Sequence, residues 1–206
     1  MNKIFWGAVA AVALVIGIIS FKTITKLPPL DTALYYQKPR EVKPFQLTDH
    51  NGNFFNKTQL NNKWSLIFFG YTSCPDICPT TLQNLSFIYE DLKDIAKNSQ
   101  VLLVSVDPQR DSQEKLAQYI AYFNNEFIAL RAGHDVLFPF ARNMGLMYAI
   151  DGEEDNYFVD HSASLVLINP VGKIAAIFKP EQVVGKVPNI DSDKLLSDYK
   201  KIVALY

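Results

Sequence analysis

The sequence predicts an α/β protein: a mixed sheet flanked by helices, preceded by an apolar N-terminal segment. Three observations predict it. Residues 65–71 (SLIFFGY) and 100–106 (QVLLVSV) are nearly all apolar, as strands buried on both faces must be. Stretches with apolar residues at three- and four-residue steps alternate with them, which is the pattern of helices crossing over a parallel sheet. Near the C-terminus two more apolar runs are joined by a short turn, so an antiparallel pair makes the sheet mixed.

The elements follow in order. Residues 4–21 (IFWGAVAAVALVIGIISF) carry no charge, and Lys3 and Lys22 flank them. A helix needs about 20 apolar residues to cross a bilayer, so the run is read as a transmembrane anchor, with Trp6 and Phe21 near its ends. No small-x-small cleavage site follows it and no cysteine lies near it, which argues against a cleaved signal and against a lipid anchor. Lysines on both sides leave charge counting undecided; export of the C-terminal part is expected because the run stands at the very N-terminus. Residues 22–40 contain Pro28, Pro29 and Pro39 and show no period, so they are read as an extended linker. Residues 41–206 are read as one domain.

That domain opens with a hairpin, Phe45-Gln46-Leu47 and Asn53-Phe54-Phe55, around Asn51-Gly52. After the first buried strand, Leu82, Leu85, Ile88, Leu92 and Ile95 trace one face of a long helix. After the second, Asp111-Ser112-Gln113-Glu114 has capping-box form and opens a helix through Phe123, with Asp111 read as the cap. Residues 127–130 form a short strand, and residues 136–144 a helix stopped by Gly145. The charged run Glu153-Glu154-Asp155 reads as a solvated loop. Residues 163–168 and 174–178 are strands joined through Asn169-Pro170-Val171-Gly172-Lys173. Asp191 caps a last helix bearing Leu195, Tyr199, Ile202 and Val203 on one face.

Composition narrows the function. The 206 residues hold 20 Lys+Arg against 21 Asp+Glu, so no basic surface favours nucleic acid. Two cysteines exclude a disulfide-stapled scaffold and a four-cysteine zinc site. Those two, Cys74 and Cys78, stand in Cys74-Pro75-Asp76-Ile77-Cys78-Pro79, between the first buried strand and the following helix. The carboxyl end of a strand is where open α/β sheets bind ligands, and a helix N-terminus stabilises thiolate over thiol. Pro79 suits a first helical turn. Two convergent sulfurs serve either a reversible disulfide or a pair of thiolates on one soft metal ion. A purely structural bridge over so short a loop removes little unfolded-state entropy.

A metal asks for a further ligand. His161 precedes the strand beginning at Ala163; if that strand lies beside the first buried strand, the loop before it reaches the cysteine loop. Two thiolates suit Cu(I), and adding the imidazole of His161 makes a site that also takes Cu(II). His50, in a hairpin turn, and His134, near a helix start, are read as structural. Met144 and Met147 are read as core.

The strings Phe69-Gly70-Tyr71-Thr72-Ser73-Cys74-Pro75-Asp76-Ile77-Cys78-Pro79, Val104-Ser105-Val106-Asp107-Pro108-Gln109-Arg110-Asp111 and Val159-Asp160-His161-Ser162 together resemble the signature of the Sco/SenC family. The resemblance implies a thioredoxin-like fold, tethering by the N-terminal helix, and copper bound by Cys74, Cys78 and His161. It implies a role in assembling the binuclear copper centre of cytochrome c oxidase, with the copper-bearing subunit or another copper carrier as partner. The expected place is the inner membrane, single-pass, with the domain on the periplasmic or equivalent extracytoplasmic side. Asn62-Lys63 stands where the family usually has Gly-Lys. Asp107 is left without an assigned role.

Two competing functions stay open. A thiol-disulfide oxidoreductase would use Cys74 and Cys78 as a redox-active disulfide to keep partner cysteines reduced. The C-x3-C spacing and the absence of proline before Ala163 count against it, although the two roles can coexist because copper needs reduced thiols. A thiol peroxidase finds only faint support in Thr72 and Ser73.

Overall fold

The computed structural model describes residues 3–24, 29–153, 156–181, 185 and 188–206. In chain order the elements are α1 (Lys3–Ile24), β1 (Ala33–Glu41), β2 (Gln46–Asp49), β3 (Phe54–Asn56), β4 (Trp64–Gly70), α2 (Ile77–Phe87), α3 (Tyr89–Ile95), β5 (Ser99–Ser105), α4 (Gln113–Phe123), β6 (Ile128–Arg131), α5 (His134–Met144), β7 (Tyr148–Glu153), β8 (Asn156–His161), β9 (Leu165–Ile168), β10 (Lys173–Phe178) and α6 (Ser192–Val203).

One mixed sheet runs β1-β10-β9-β4-β5-β6-β2-β3. β4 and β5 lie at its centre with every residue buried, which is why both read as unbroken apolar runs. They pair in parallel from Trp64 opposite Ser99 to Gly70 opposite Ser105. A parallel pair needs a crossover, and α2 with α3 supplies it. β9 joins the other side of β4 in antiparallel sense, with Phe68 opposite Leu165, so the strand after His161 does lie beside the cysteine-bearing strand. Side chains alternate along β4. The Phe69 ring stands 5.8 Å from Phe140 of α5, while Gly70, on the opposite face, abuts Cys78 of α2. Helices therefore cover both faces.

Four expectations are corrected. The expected linker over 22–40 ends earlier: Ala33–Glu41 is β1, paired with β10 from Ala33 opposite Phe178 to Glu41 opposite Lys173. The fully buried Asp198 carboxylate of α6 fixes the start of that strand by accepting from the backbone N–H of Asp31, Thr32 and Ala33. The single long helix is two, α2 and α3, divided at Ile88. Leu82, Leu85, Ile88 and Leu92 are nonetheless all buried, so the break preserves the apolar face. Residues 148–161, where the one element expected was a loop at 153–155, hold a separate two-stranded hairpin, β7 with β8. Of the charged run, Glu153 ends β7, and Glu154 and Asp155 lie outside the described residues. Finally, the cap of α4 is Ser112, whose hydroxyl accepts from Lys115 N, and not Asp111.

α1 extends through Ile24, and every side chain described along residues 5–17 is exposed, Phe5, Trp6, Leu14 and Ile16 among them. The side chains of Ile4 and of residues 18–24 lie outside the described ones. Among the described residues no helix is long and apolar enough to cross a membrane.

Candidate metal centre

The centre forms where β4 ends. Gly70 closes the strand, Tyr71 to Asp76 turn away from the sheet, and α2 begins at Ile77. Cys78 is thus the second residue of the helix and Cys74 lies in the loop before it. The Cys78 sulfur packs on bare backbone: a Cβ at Gly70 would stand 2.9 Å from it, closer than any real contact. Glycine is required there by the approach of the sulfur. β8 brings in the third residue, His161, from the far end of the sequence. The Cys78 Sγ lies 3.3 Å from His161 Nε2, and the ligand atoms of Cys74, Cys78 and His161 all fall within 4.8 Å of one another. Both cysteines are free thiols, Cys74 half-buried and Cys78 buried.

His161 Nδ1 lies 3.3 Å from the Ser162 carbonyl. A carbonyl only accepts, so this bond puts the proton on Nδ1 and leaves the Nε2 lone pair facing the sulfurs. Phe68 and Tyr71 meet the imidazole edge-on, each with its ring centroid 5.8 Å away, and wall the site with apolar surface.

The two thiols are driven apart. Cys74 falls from an ordinary 9.0 to about 4, chiefly through hydrogen bonding to the Cys78 side chain. Burial opposes the shift, and the backbone N–H groups of Cys78 and Asp76 add to it. The Cys78 N–H points at the Cys74 sulfur from 3.4 Å, the helix N-terminus acting on the thiolate in the manner expected. Cys78 moves strongly the other way, because burial and then the charge on Cys74 penalise a second thiolate. One anion, one proton-bearing sulfur and one imidazole lone pair make a soft donor set. It fits copper, since thiolate and imidazole suit Cu(I) and Cu(II) respectively.

Asp111, read from sequence as a cap, belongs to the support of this site. Its fully buried carboxylate accepts from Thr72 N at 3.1 Å, Thr72 Oγ1 at 2.5 Å and Ser105 Oγ at 2.6 Å. It straps the cysteine loop to the end of β5. Asp107 is equally buried and bonds Tyr157 of β8. The repetition of carboxylates beside the end of a buried strand was the signal for both, but nothing local says what they face. His50 and His134 are structural as read: His50 Nδ1 accepts from Ala129 N, and His134 Nδ1 pairs with Tyr148 Oη at 2.8 Å. Met144 is core, whereas Met147, expected in the core, is 75% exposed.

A dithiol and an imidazole gathered at the end of a central strand, on a mixed sheet covered by helices, define a thioredoxin-like protein with a candidate metal centre. The SCO1/SenC family model matches residues 34–190, and the chain belongs to that family. It is 37% identical over 143 residues to the SCO2-like protein RP587 of Rickettsia prowazekii, covering 68% of this chain and 70% of that one. Among solved structures it resembles Arabidopsis thaliana ScoI with copper bound, at TM-score 0.71 and 28% identity, over 80% of this chain and 98% of that one. Yeast Sco1 with copper bound gives TM-score 0.71 and 26% identity, over 82% and 91%. The thioredoxin-like fold follows for this protein, and the residues that could hold a metal ion are Cys74, Cys78 and His161.

Proposed function

We propose that this chain is a membrane-tethered copper-binding protein that delivers or prepares copper for the binuclear copper centre of cytochrome c oxidase. The observation that carries the reading is the convergence of Cys74, Cys78 and His161 within 4.8 Å. Copper is the cargo. Cu(I) is taken by the Cys74 thiolate and by Cys78 once its proton is displaced; the His161 lone pair adds the nitrogen that Cu(II) prefers. The uncharged apolar run of residues 4–21, only part of whose side chains is among the described ones, supports a single-pass anchor with residues 41–206 outside the cytoplasm, and the side chains described along it are exposed. The recipient is the copper-bearing oxidase subunit or another copper carrier.

The lowered pKa of Cys74 beside a second free thiol also supports a thiol-disulfide role, because a thiolate at neutral pH is the attacking species. One set of variants separates the readings. Cys74→Ala or Cys78→Ala abolishes tight binding of both copper states. His161→Ala weakens Cu(II) far more than Cu(I) and leaves the thiol–disulfide couple intact. Oxidase assembly fails in cells carrying His161→Ala if copper handling is the function. Wild-type Cu(II) affinity with normal oxidase activity in His161→Ala would leave the oxidoreductase reading ahead.

A further inference from the structure

The third ligand is carried on a hairpin that the main sheet does not hold. β7 and β8 form their own two-stranded sheet, and among the described residues neither is hydrogen-bonded as a ladder to the central strands. Something else must seat β8, because the His161 Nε2 stands within 3.3 Å of a sulfur that belongs to α2. Alternation places Tyr157, Val159 and His161 on one face of β8. Tyr157 and Val159 are buried there, while Phe158 and Asp160 between them are exposed. Tyr157 is where the body of the domain grips this face. Its hydroxyl donates to Asp107 Oδ1 at 2.6 Å, and its carbonyl accepts from Arg110 Nη1 at 3.0 Å. The Arg110 guanidinium lies 3.8 Å from the centroid of the Tyr157 ring. Arg110 Nε donates in turn to Asp107 Oδ2 at 2.5 Å, and the guanidinium also lies 5.7 Å from the ring of Tyr71, the residue that meets His161 edge-on.

We infer that Asp107, Arg110 and Tyr157 form a latch that seats the β7–β8 hairpin and so sets where His161 stands over the cysteine pair. They are positioning residues for the imidazole. The inference rests on the copper reading only for its consequence; the latch itself is a matter of this chain's own contacts. Asp107 is 1% exposed and its two oxygens are shared between the phenol and the guanidinium, so the carboxylate joins one residue of the β5–α4 connection to one strand of the hairpin. Burial and the Asp107 carboxylate raise the Tyr157 phenol to about 12, which keeps it a donor at neutral pH. With the latch closed, nitrogen joins sulfur at the metal. With it open, His161 leaves and the two sulfurs remain, a set that keeps Cu(I) and releases Cu(II). The latch thereby acts on one oxidation state of the cargo.

The test uses the full chain in detergent, as wild type, Tyr157→Phe, Asp107→Asn, His161→Ala and the Tyr157→Phe/His161→Ala double variant. Tyr157→Phe removes a single oxygen and so tests the latch even if Asp107→Asn fails to fold. In the metal-free protein, amide hydrogen exchange over residues 156–161 should quicken about tenfold in Tyr157→Phe, the loss of one charge-assisted bond. With metal, loss of Cu(II) to a chelator should quicken about tenfold, the usual range for a residue that orients a ligand, while Cu(I) retention changes by no more than about twofold. In the His161→Ala background the Tyr157 substitution should add nothing. Unchanged exchange in Tyr157→Phe would overturn the latch. So would an equal Cu(II) loss with and without His161, because the effect would then run through the fold and not the imidazole. If the wild-type chain retains neither copper state the copper reading fails, and the exchange measurement still decides whether the latch exists.

Discussion

Replacing Asp111 by alanine tests whether this carboxylate straps the cysteine loop or merely caps a helix. The substitution leaves three donors, Thr72 N, Thr72 Oγ1 and Ser105 Oγ, without their acceptor. Leaving a buried donor unpaired costs about 1–3 kcal/mol. Thr72 is half-buried, so its groups turn partly to water; Ser105 is fully buried and has no such recourse. The sum is about 3 kcal/mol, and at about 2–4 °C per kcal/mol for a domain of this size the melting temperature falls by about 6–12 °C. Lys115 Nζ, 3.8 Å away and 44% exposed, contributes little to this. Ser112→Ala is the control. It removes the one cap bond, to Lys115 N at 3.2 Å, and should cost about 1 kcal/mol. Thermal unfolding of both variants, followed by circular dichroism, gives the comparison, and the alkylation rate of Cys74 in the reduced protein reports on the loop. Asp111→Ala should alter that rate and Ser112→Ala should not. If Asp111→Ala is no more costly than Ser112→Ala and Cys74 reacts as in the wild type, the strap does not exist.

Other outcomes follow from the same geometry. Cu(I) binding to the reduced protein at neutral pH should release close to one proton, because Cys74 is already a thiolate and only Cys78 gives one up; release of two, read with an indicator dye in weak buffer, would contradict the split. Gly70→Ala drives a methyl to 2.9 Å from the Cys78 sulfur and the Phe68 ring, so it should cost about 1–3 kcal/mol and weaken copper retention together; wild-type values of both in chemical denaturation and competition titration would refute the close approach. Asp198 is pulled below its ordinary 3.8: burial opposes ionisation, but the amides of Thr32, Asp31 and Ala33 and the nearby Lys201 outweigh it. A lowered carboxylate pKa stabilises the fold fully above the ordinary value and ceases to do so as pH falls through the folded-state value. Wild type should therefore lose stability in acid more steeply than Asp198→Asn, and parallel acid-unfolding curves would show that the carboxylate holds nothing.

Periodicity records which face of an element is buried, and to that extent the fold was legible. β4 and β5 announced themselves as unbroken apolar runs because both of their faces are covered. Leu82, Leu85, Ile88 and Leu92 announced a buried helical face, but not its division at Ile88, since the face survives the break. β1 passed for a linker because an edge strand alternates only weakly and its anchoring carboxylate, Asp198, lies 165 residues away from Ala33. The β7–β8 hairpin escaped for a similar reason. The alternation of Tyr157, Val159 and His161 spans too few residues to announce a strand, and the partners that seat it, Asp107 and Arg110, meet Tyr157 only across the structure.

Where the two sulfurs meet was legible in the chain itself, whereas the choice between metal and disulfide chemistry was left open there. Cys74 and Cys78 lie within one strand–turn–helix unit, so chain connectivity alone brings them to the end of β4. His161, 83 residues beyond Cys78, was named by its motif, but only the pairing of β9 with β4 and the seating of β8 put it beside the sulfurs. The tertiary structure alone decided which thiol carries the charge. Local sequence places both near the same helix N-terminus and favours thiolate in each. Packing buries Cys78 against the backbone of Gly70 and leaves Cys74 half-exposed beneath the Cys78 N–H. Desolvation depends on what surrounds an atom in space, and neighbours in the chain do not specify it.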